Sequence, residues 1–253
     1  MRITARAFRD KPLKAVTLIG MSGVGKSHTA CNLARWGWHN YSCDWLIGTR
    51  YLKDAVRQDG ALSPDNIAGL SDFVGQIGNP AKGGVGLEEF RRRQRLYYEA
   101  ECAVLRDIDA GLESAAQKGR SFVNDSSGSL CEVEDETILE HVGSKTLFVY
   151  LKAAQEDHPK ILERAVLYPK PLYFPPAFFD AHLKDYLDEF GIGDPELIDP
   201  GSFLSWVFPR LFRARLPKYQ ALADRYGVTV PAGSLSNARS ENEFLDLIAQ
   251  ALE

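Results

Sequence analysis

The sequence predicts an α/β fold of three layers, in which helices cover both faces of a five-stranded parallel sheet. Short apolar runs rich in β-branched residues alternate with stretches of helical spacing, which is the pattern of parallel strands joined by crossover helices. The first run, residues 15–19, leads into a glycine-rich segment and then into a helical pattern over residues 27–36. We therefore expect ligands to bind at the carboxyl ends of the strands.

The remaining elements follow from the same two periodicities. Strands are predicted at residues 15–19, 39–44, 121–124, 146–151 and 228–230, and helices at residues 27–36, 46–52, 67–74, 87–117 and 241–252. Gly37 is placed to end the first of these helices. Prolines and glycines between residues 63 and 86 predict a mobile loop after the helix at 67–74.

Composition limits the class of protein. A chain of 253 residues suffices for one α/β domain with an insertion, and 45% apolar with 25% charged residues is ordinary globular composition. A net charge of −4 argues against a nucleic-acid partner. The four cysteines form no C-x-x-C pair, and no segment has the roughly 20 apolar residues of a membrane span. We expect a cytoplasmic monomer or homodimer with reduced thiols and no membrane contact.

Residues 20–27 carry the clearest motif, Gly-Met-Ser-Gly-Val-Gly-Lys-Ser, directly after a predicted strand. Its glycines let consecutive backbone N–H groups turn toward a phosphate, and the following helix N-terminus favours the same anion. Lys26 would reach the β- and γ-phosphates and Ser27 would ligate Mg²⁺. A strand before the motif and a helix after it predict the P-loop of an NTPase that binds ATP with Mg²⁺. The predicted nucleotide-binding residues here are Gly20, Ser22, Gly23, Val24, Gly25, Lys26, Ser27 and His28.

Residues 155–210 interrupt the alternation of strands and helices, and we predict that they form an inserted helical subdomain within a single domain of residues 1–253. From residue 168 onward this segment is dense in proline and aromatic residues. It is either a subdomain that packs on itself or a lid that closes over bound substrates, and the sequence leaves both open. As a lid it would bring Arg164 or Lys170 to the nucleotide phosphates.

Further segments, together with the P-loop, resemble the shikimate kinase family of small-molecule kinases over nearly the whole chain apart from the insertion. Asp44 matches the family's acidic residue that binds substrate hydroxyls. Arg91 and Arg215 lie in segments similar to those whose arginines hold the substrate carboxylate, and Lys170 stands where the lid motif has arginine. The resemblance implies transfer of the γ-phosphoryl group to a hydroxyl of a small carboxylate-bearing metabolite, with Asp44 orienting that hydroxyl and accepting its proton.

Two positions depart from the family's pattern. Ser42 and Asp44 occupy the ends of a tripeptide that is Asp-x-Asp in the family, so one acidic residue on the magnesium side is missing. Residues 122–125, Phe-Val-Asn-Asp, read like a Walker B strand, and we infer that Asp125 supplies this carboxylate as a magnesium ligand. A glycine run is replaced by Ser-Ser-Gly at residues 126–128, which would crowd a shikimate pocket. Ser127 and Gly128 are still predicted to contact substrate.

Several of these residues have a simpler interpretation. Asp44 is also suited to cap the helix at 46–52, and the arginine run at residues 91–95 to a solvated helix face. We expect Arg91 to turn inward because it follows Phe90. For the second arginine, Arg210 and Arg213 are alternatives to Arg215, and Arg215 could also lie on the surface without a ligand. Two other functions are compatible with the sequence. One is a nucleoside or nucleotide kinase, and the other is a regulatory nucleotide-binding module, which the arginine run favours and the pI of about 5.8 opposes.

Overall fold

The computed structural model describes residues 3–56, 68–167 and 172–253, and the chain divides into two compact units. The first contains Met1–Cys43, Cys102–Ile161 and Arg215–Glu253, and the second contains Asp44–Glu101 and Leu162–Ala214. The second unit thus combines two separate stretches of chain, whereas the sequence predicted one insertion over residues 155–210. Lys170 lies outside the described residues.

A five-stranded parallel sheet forms the centre of the first unit, as predicted. In chain order the strands are β1 (Ala15–Ile19), β2 (His39–Ser42), β3 (Phe122–Asp125), β4 (Leu147–Lys152) and β5 (Gly227–Pro231). Their order in the sheet is β2-β3-β1-β4-β5, and every pairing is parallel. Since β3 and β4 lie on opposite sides of β1, the strand order reverses at β1. In open α/β sheets this is where ligands bind.

Helices flank the sheet and build the second unit. In chain order the described α-helices are α1 (Ala5–Asp10), α2 (Lys26–Arg35), α3 (Cys43–Leu46), α4 (Ala68–Val74), α5 (Leu87–Arg106), α6 (Ile108–Gln117), α7 (Glu136–Lys145), α8 (His158–Leu167), α9 (Pro176–Phe190), α10 (Pro200–Tyr226), α11 (Ala232–Ser236) and α12 (Glu241–Leu252). None of the described helices is long and apolar enough to cross a membrane.

The central strands are buried on both faces, which explains their unbroken apolar sequence. Leu18 of β1 is fully buried. The polar side chains in and next to these strands bond to one another: Thr17 Oγ1 lies 2.7 Å from Thr146 Oγ1, and Asn124 Nδ2 donates to Thr17 Oγ1 over 3.3 Å. The buried hydroxyl of Thr17 is therefore satisfied without water.

Two helices differ from their predicted bounds. The predicted helix 87–117 is two helices, α5 and α6, separated at Asp107, whose ψ of 9° leaves the helical range. The predicted helix 46–52 begins earlier, at Cys43, and continues as a π-helical turn over Ile47–Tyr51.

The sequence predicted no bounds for α10, which runs through two prolines. Pro209 and Pro217 remove backbone donors and would break an isolated helix. Phe208, Leu211 and Phe212 on the same helix are fully or almost fully buried. Their burial compensates for the lost hydrogen bonds, which is an effect of packing that local sequence does not reveal.

Candidate functional site

The loop of residues 20–27 connects the carboxyl end of β1 to the N-terminus of α2. Gly20, Gly23 and Gly25 have φ angles of +142°, +89° and +103°, in the region where side chains are strained. A Cβ at Gly25 would also lie 2.7 Å from the Ser236 Oγ, so that hydroxyl would have to move. The backbone therefore requires glycine at the positions where the motif has it, and it delivers the chain into a helix N-terminus that favours anions.

Lys26 begins α2 and folds its side chain back over this loop. The side chain is 7% exposed, and its Nζ donates to the carbonyl oxygens of Gly20 (2.7 Å) and Met21 (3.2 Å). Ser27 and His28, one and two residues later, are exposed. Carbonyl oxygens of the loop are thus among the partners of the ammonium group, and an anionic phosphate would be a stronger partner for it than a carbonyl.

Asp125 is the last residue of β3. It lies at the carboxyl ends of the strands, as does the glycine-rich loop. The register pairs it with Leu18 of β1 on one side and with Ser42 of β2 on the other. Because Leu18 stands two residues before Gly20, the Asp125 carboxylate belongs to the sheet edge from which the glycine-rich loop departs. The residue is 8% exposed.

A carboxylate of this kind suits a magnesium site completed by phosphate oxygens, since Mg²⁺ commonly takes one or two protein carboxylates and keeps its other ligands from substrate and water. Ser27 would supply the protein hydroxyl ligand. Within residues 3–56, 68–167 and 172–253 no group of three or more His, Cys, Asp or Glu side chains is arranged to hold a metal ion.

The segment of residues 126–129, directly after β3, packs against the glycine-rich loop. A Cβ on Gly128 would lie 2.5 Å from Ser22 Oγ and 3.3 Å from Ser22 N, so this approach depends on glycine. Ser126 Oγ donates to Leu18 O over 2.6 Å, and Ser127 Oγ lies 3.3 Å from Ser129 Oγ. These serine side chains are buried. Ser127 is a predicted substrate-binding residue, but in the structure its hydroxyl is buried and contacts another side chain of the protein.

The side chain of Arg215 binds to the segment of residues 126–129. Its side chain is 1% exposed, its Nη1 donates to the Gly128 carbonyl oxygen over 2.9 Å, and its Nε donates to Glu132 Oε1 over 2.9 Å. Lys218 Nζ contacts the other carboxylate oxygen of Glu132, and Tyr219 OH donates to the Gly128 carbonyl over 2.5 Å. The sequence predicted that Arg215 binds a substrate carboxylate. In the structure Arg215 is paired instead with a carboxylate of the protein itself, that of Glu132.

Arg215, Lys218 and Glu132 are charged groups of this cluster. Burial raises the pKa of the Cys131 thiol to about 12 and holds the pKa of Tyr219 well above its ordinary value. Both groups are therefore neutral at physiological pH, and Glu132 is the anion that compensates the buried guanidinium.

Asp44 belongs to the second unit and lies in the first turn of α3. The prediction that it caps a later helix was wrong, because the helix has already begun at Cys43. A carboxylate in a first turn is nevertheless favoured by the helix dipole. Its side chain is half-buried, and Tyr97 OH donates to its Oδ1 over a long 3.4 Å.

Arg91, also in the second unit, does not turn inward as predicted. Its side chain is 44% exposed, and its guanidinium pairs with Glu88 Oε1 at 3.3 Å and with Asp180 Oδ1 at 2.9 Å. The buried face of α5 carries Phe90, Gln94 and Tyr97, at helical spacing that excludes position 91. Both arginines that the sequence assigned to a substrate carboxylate are thus engaged by carboxylates of this chain.

Two other arginines of the run 91–95 also pair with side chains of this protein. Arg92 and Arg93 both bond to Glu89, and these hydrogen bonds lower the pKa of Glu89 to about 2. Arg93 additionally donates to the Phe73 carbonyl oxygen over 3.0 Å. Phosphate contacts of nucleic acid require cations that are free to neutralise them. The pair of Arg92 and Glu89 is exposed and therefore weak, so a phosphate could replace the carboxylate, and the regulatory nucleic-acid interpretation stays a prediction. Arg164 lies in α8, and its side chain lies outside the described part.

A comparison with solved structures finds a shikimate kinase from Acinetobacter baumannii in complex with shikimate. It is 16% identical, the alignment covers 98% of this chain and 94% of that chain, and the TM-score is 0.43. No protein-family model matches the chain, and no curated protein matches it. At this identity and TM-score the likeness carries no weight for function, which has to be inferred from the residues of the chain.

Glu132 is the site residue that the sequence reasoning missed. It lies in a 3-10 turn, Leu130–Glu132, between apolar neighbours. A glutamate within an apolar segment, Leu-Cys-Glu-Val at residues 130–133, was the available signal, because buried carboxylates are rare unless paired. Its partners are far away in the sequence and could not be named.

Proposed function

We propose that this protein is an ATP-dependent kinase that phosphorylates a hydroxyl group of a small molecule. One observation carries the proposal. The loop of residues 20–27, with Lys26 at the N-terminus of α2, leaves the central strand β1, and Asp125 stands in register on the neighbouring strand β3. A cradle of backbone N–H groups, a lysine and an adjacent carboxylate are the parts that phosphoryl transfer uses to hold a nucleoside triphosphate and its metal ion.

The residues present fit MgATP. Positive φ angles at the three loop glycines give the loop the freedom to turn N–H groups toward phosphate. Lys26 would exchange carbonyl partners for phosphate oxygens, and Ser27 with Asp125 would hold Mg²⁺. Bound Mg²⁺ supplies charge neutralisation on the phosphates. The residues of the chain would hold ATP, the phosphoryl donor, in place and would stabilise the negative charge on its phosphates during transfer.

In the reaction, the acceptor oxygen forms a bond to the γ-phosphorus while the bond from that phosphorus to the bridging oxygen breaks, releasing ADP. The hydroxyl proton passes to a carboxylate, and the product is a phosphate ester. We assign that carboxylate to Asp44 on the sequence, together with a role for Arg164 or Lys170 as cations near the transferred group. Residues 155–210 would act as the lid that excludes water during transfer.

The test is a screen for ADP release by the purified protein, measured with a coupled enzyme assay. The panel contains polyols, sugars, hydroxy acids including shikimate, and nucleosides, so that a nucleoside kinase is recognised by its acceptor. The Lys26→Ala variant is the blank, and Lys184→Ala, an exposed lysine paired with Asp188, is the matched control. At least one acceptor should raise turnover well above the blank. If none does while MgATP still binds, the kinase proposal fails.

A further inference from the structure

A cavity of about 600 Å³ opens at the amino ends of the strands in the first unit. The first residues of β1, β4 and β5, which are Ala15, Leu147 and Gly227, line it. The glycine-rich loop follows the last residue of β1, so the cavity and that loop lie at opposite ends of the same strand. Ligand pockets commonly have volumes of about 300–1,000 Å³, so this cavity is large enough for a small molecule.

Part of the cavity wall is apolar and accessible. Its half-buried aliphatic side chains are Ile3, Leu147 and Leu252. The half-buried ring of Tyr226 completes this part of the wall, and it packs against α7 because a Cβ on Gly143 would lie 2.4 Å from its Cδ1. Burying apolar surface is favourable, so such a wall favours a ligand with an apolar body.

Two hydrogen-bond donors of the lining lack partners in the part of the chain that the structure describes. The hydroxyl oxygen of Tyr226 is buried and makes no hydrogen bond, and the ammonium group of Lys11 makes no hydrogen bond or ion pair. Burial raises the pKa of Tyr226 against the opposing effect of Arg225, so the hydroxyl keeps its proton and remains a donor at physiological pH. A ligand that accepts from this hydroxyl would remove the cost of leaving a buried donor unpaired.

The charged side chains of the lining are three cations and one carboxylate, namely Lys11, Lys145, Arg225 and Glu140. Arg225 pairs with Glu140 and with Glu136, each at 2.7 Å, and Lys145 lies 3.4 Å from Asp109. These pairs are exposed and therefore weak, so they hold the cations only loosely. With Lys11 in addition, the excess of cations on the lining favours an anionic ligand.

We propose that this cavity is a second ligand site, which binds a small monocarboxylate with an apolar body. The carboxylate would accept from the Lys11 ammonium group and the Tyr226 hydroxyl, and the body would cover Ile3, Leu147 and Leu252. An ionised carboxylate offers acceptors and no donor, which matches the two donors that lack partners. Because the cavity lies at the other end of β1 from the glycine-rich loop, this inference goes beyond the proposed kinase function and does not depend on it.

Calorimetry with two acids and their uncharged amides tests the class of ligand. The pairs are octanoate with octanamide and 3-phenylpropionate with 3-phenylpropanamide, and inorganic phosphate serves as an anion without an apolar body. Wild type should bind at least one of the acids at one site per chain, at least about tenfold more tightly than its amide or phosphate, because hydrogen bonds to a charged group are the stronger ones. Absence of saturable binding by both acids, or equal binding of acid and amide, would overturn the inference.

Two variants test the assigned donors. Tyr226→Phe removes the hydroxyl and keeps the ring, and Lys11→Met removes the charge and keeps an apolar stem. Each should weaken binding of the acid at least about fivefold and leave binding of the amide within about twofold. The matched control is Lys118→Met, since Lys118 is an exposed lysine of the same unit outside the lining, and it should bind the acid as wild type does. An unchanged acid affinity in Tyr226→Phe or in Lys11→Met would overturn the assignment.

The Tyr226 hydroxyl also permits a test without ligand. Because it has no partner to lose, Tyr226→Phe should melt at the temperature of wild type or higher when no acid is present. The acid should then raise the melting temperature of wild type more than that of the variant. A clear loss of stability in Tyr226→Phe without acid would mean that the hydroxyl is bonded within the protein, and this would overturn the inference.

The Lys26→Ala variant separates this site from the glycine-rich loop. It should bind the acids as tightly as wild type does, because the change lies at the other end of β1. Loss of acid binding in Lys26→Ala would overturn the separate location of the site. Failure of MgATP binding or of turnover in wild type would reject the kinase function, whereas the acid titrations decide the second site in either case.

Discussion

Replacing Arg215 by methionine should destabilise the protein more than any exposed substitution on the same helix. The change removes the 2.9 Å bonds to Glu132 and to the Gly128 carbonyl, and it leaves a carboxylate that is 1% exposed. Breaking a buried pair from one side costs about 3–5 kcal/mol. Lys218 remains on the second oxygen but has a side chain that is 47% exposed, so it compensates only in part. We therefore expect a loss of about 3 kcal/mol in the free energy of unfolding.

The assay is urea unfolding followed by tryptophan fluorescence, with Arg213→Met as the control. Arg213 is exposed on the same helix, and its substitution should change the free energy of unfolding by about 0.5 kcal/mol or less. The double variant Arg215→Met, Glu132→Leu should recover most of the loss, because well-packed apolar residues can replace a buried ion pair. A loss below about 1 kcal/mol for Arg215→Met, or a double variant as unstable as the single one, would refute this reasoning.

Three further predictions concern single residues of the first unit. Asp125→Asn should abolish Mg²⁺-dependent turnover in the ADP-release assay while ATP without metal still binds, and near-normal turnover would remove Asp125 from the metal site. Gly128→Ala should force Ser22 to move, lowering stability by about 1 kcal/mol and weakening MgATP binding in calorimetry, whereas Gly233→Ala, which meets nothing within 4 Å, should do neither. Burial, with two nearby cations, lowers the pKa of His39 below 6.5, so the unfolded chain binds its proton first and stability should fall as pH drops from 6.5 through the folded pKa. His39→Gln should flatten that part of a melting-temperature profile against pH, and an unchanged slope would contradict the assignment.

The sheet could be predicted because its strands are encoded locally. Residues 15–19 were predicted as a strand with the bounds that β1 has, and the other strands were placed within one or two residues. Their apolar runs reflect burial on both faces, and the glycine-rich loop needs only its own residues to specify its turn. The break at Asp107 and the continuity of α10 through Pro209 depend instead on packing, which overrides local preference.

Arg91 and Arg215 show which features of the site can be predicted from the sequence and which cannot. The exposure of Arg91 was within reach, since Phe90, Gln94 and Tyr97 mark the buried face of α5 and position 91 lies off it. The burial of Arg215 could not have been predicted from the sequence, because its partner Glu132 lies 83 positions away along the chain. A motif predicts the type of side chain that a position carries, but the partner of that side chain is decided by the fold.

The most direct test of the central claim is calorimetric titration of the protein with MgATP. Wild type and Lys184→Ala should bind with the same affinity, and Lys26→Ala should bind at least about tenfold more weakly, because it loses a charged contact to the phosphates. Binding of MgATP by Lys26→Ala as tightly as by wild type, or no binding by wild type, would contradict the assignment of residues 20–27 as the phosphate-binding loop.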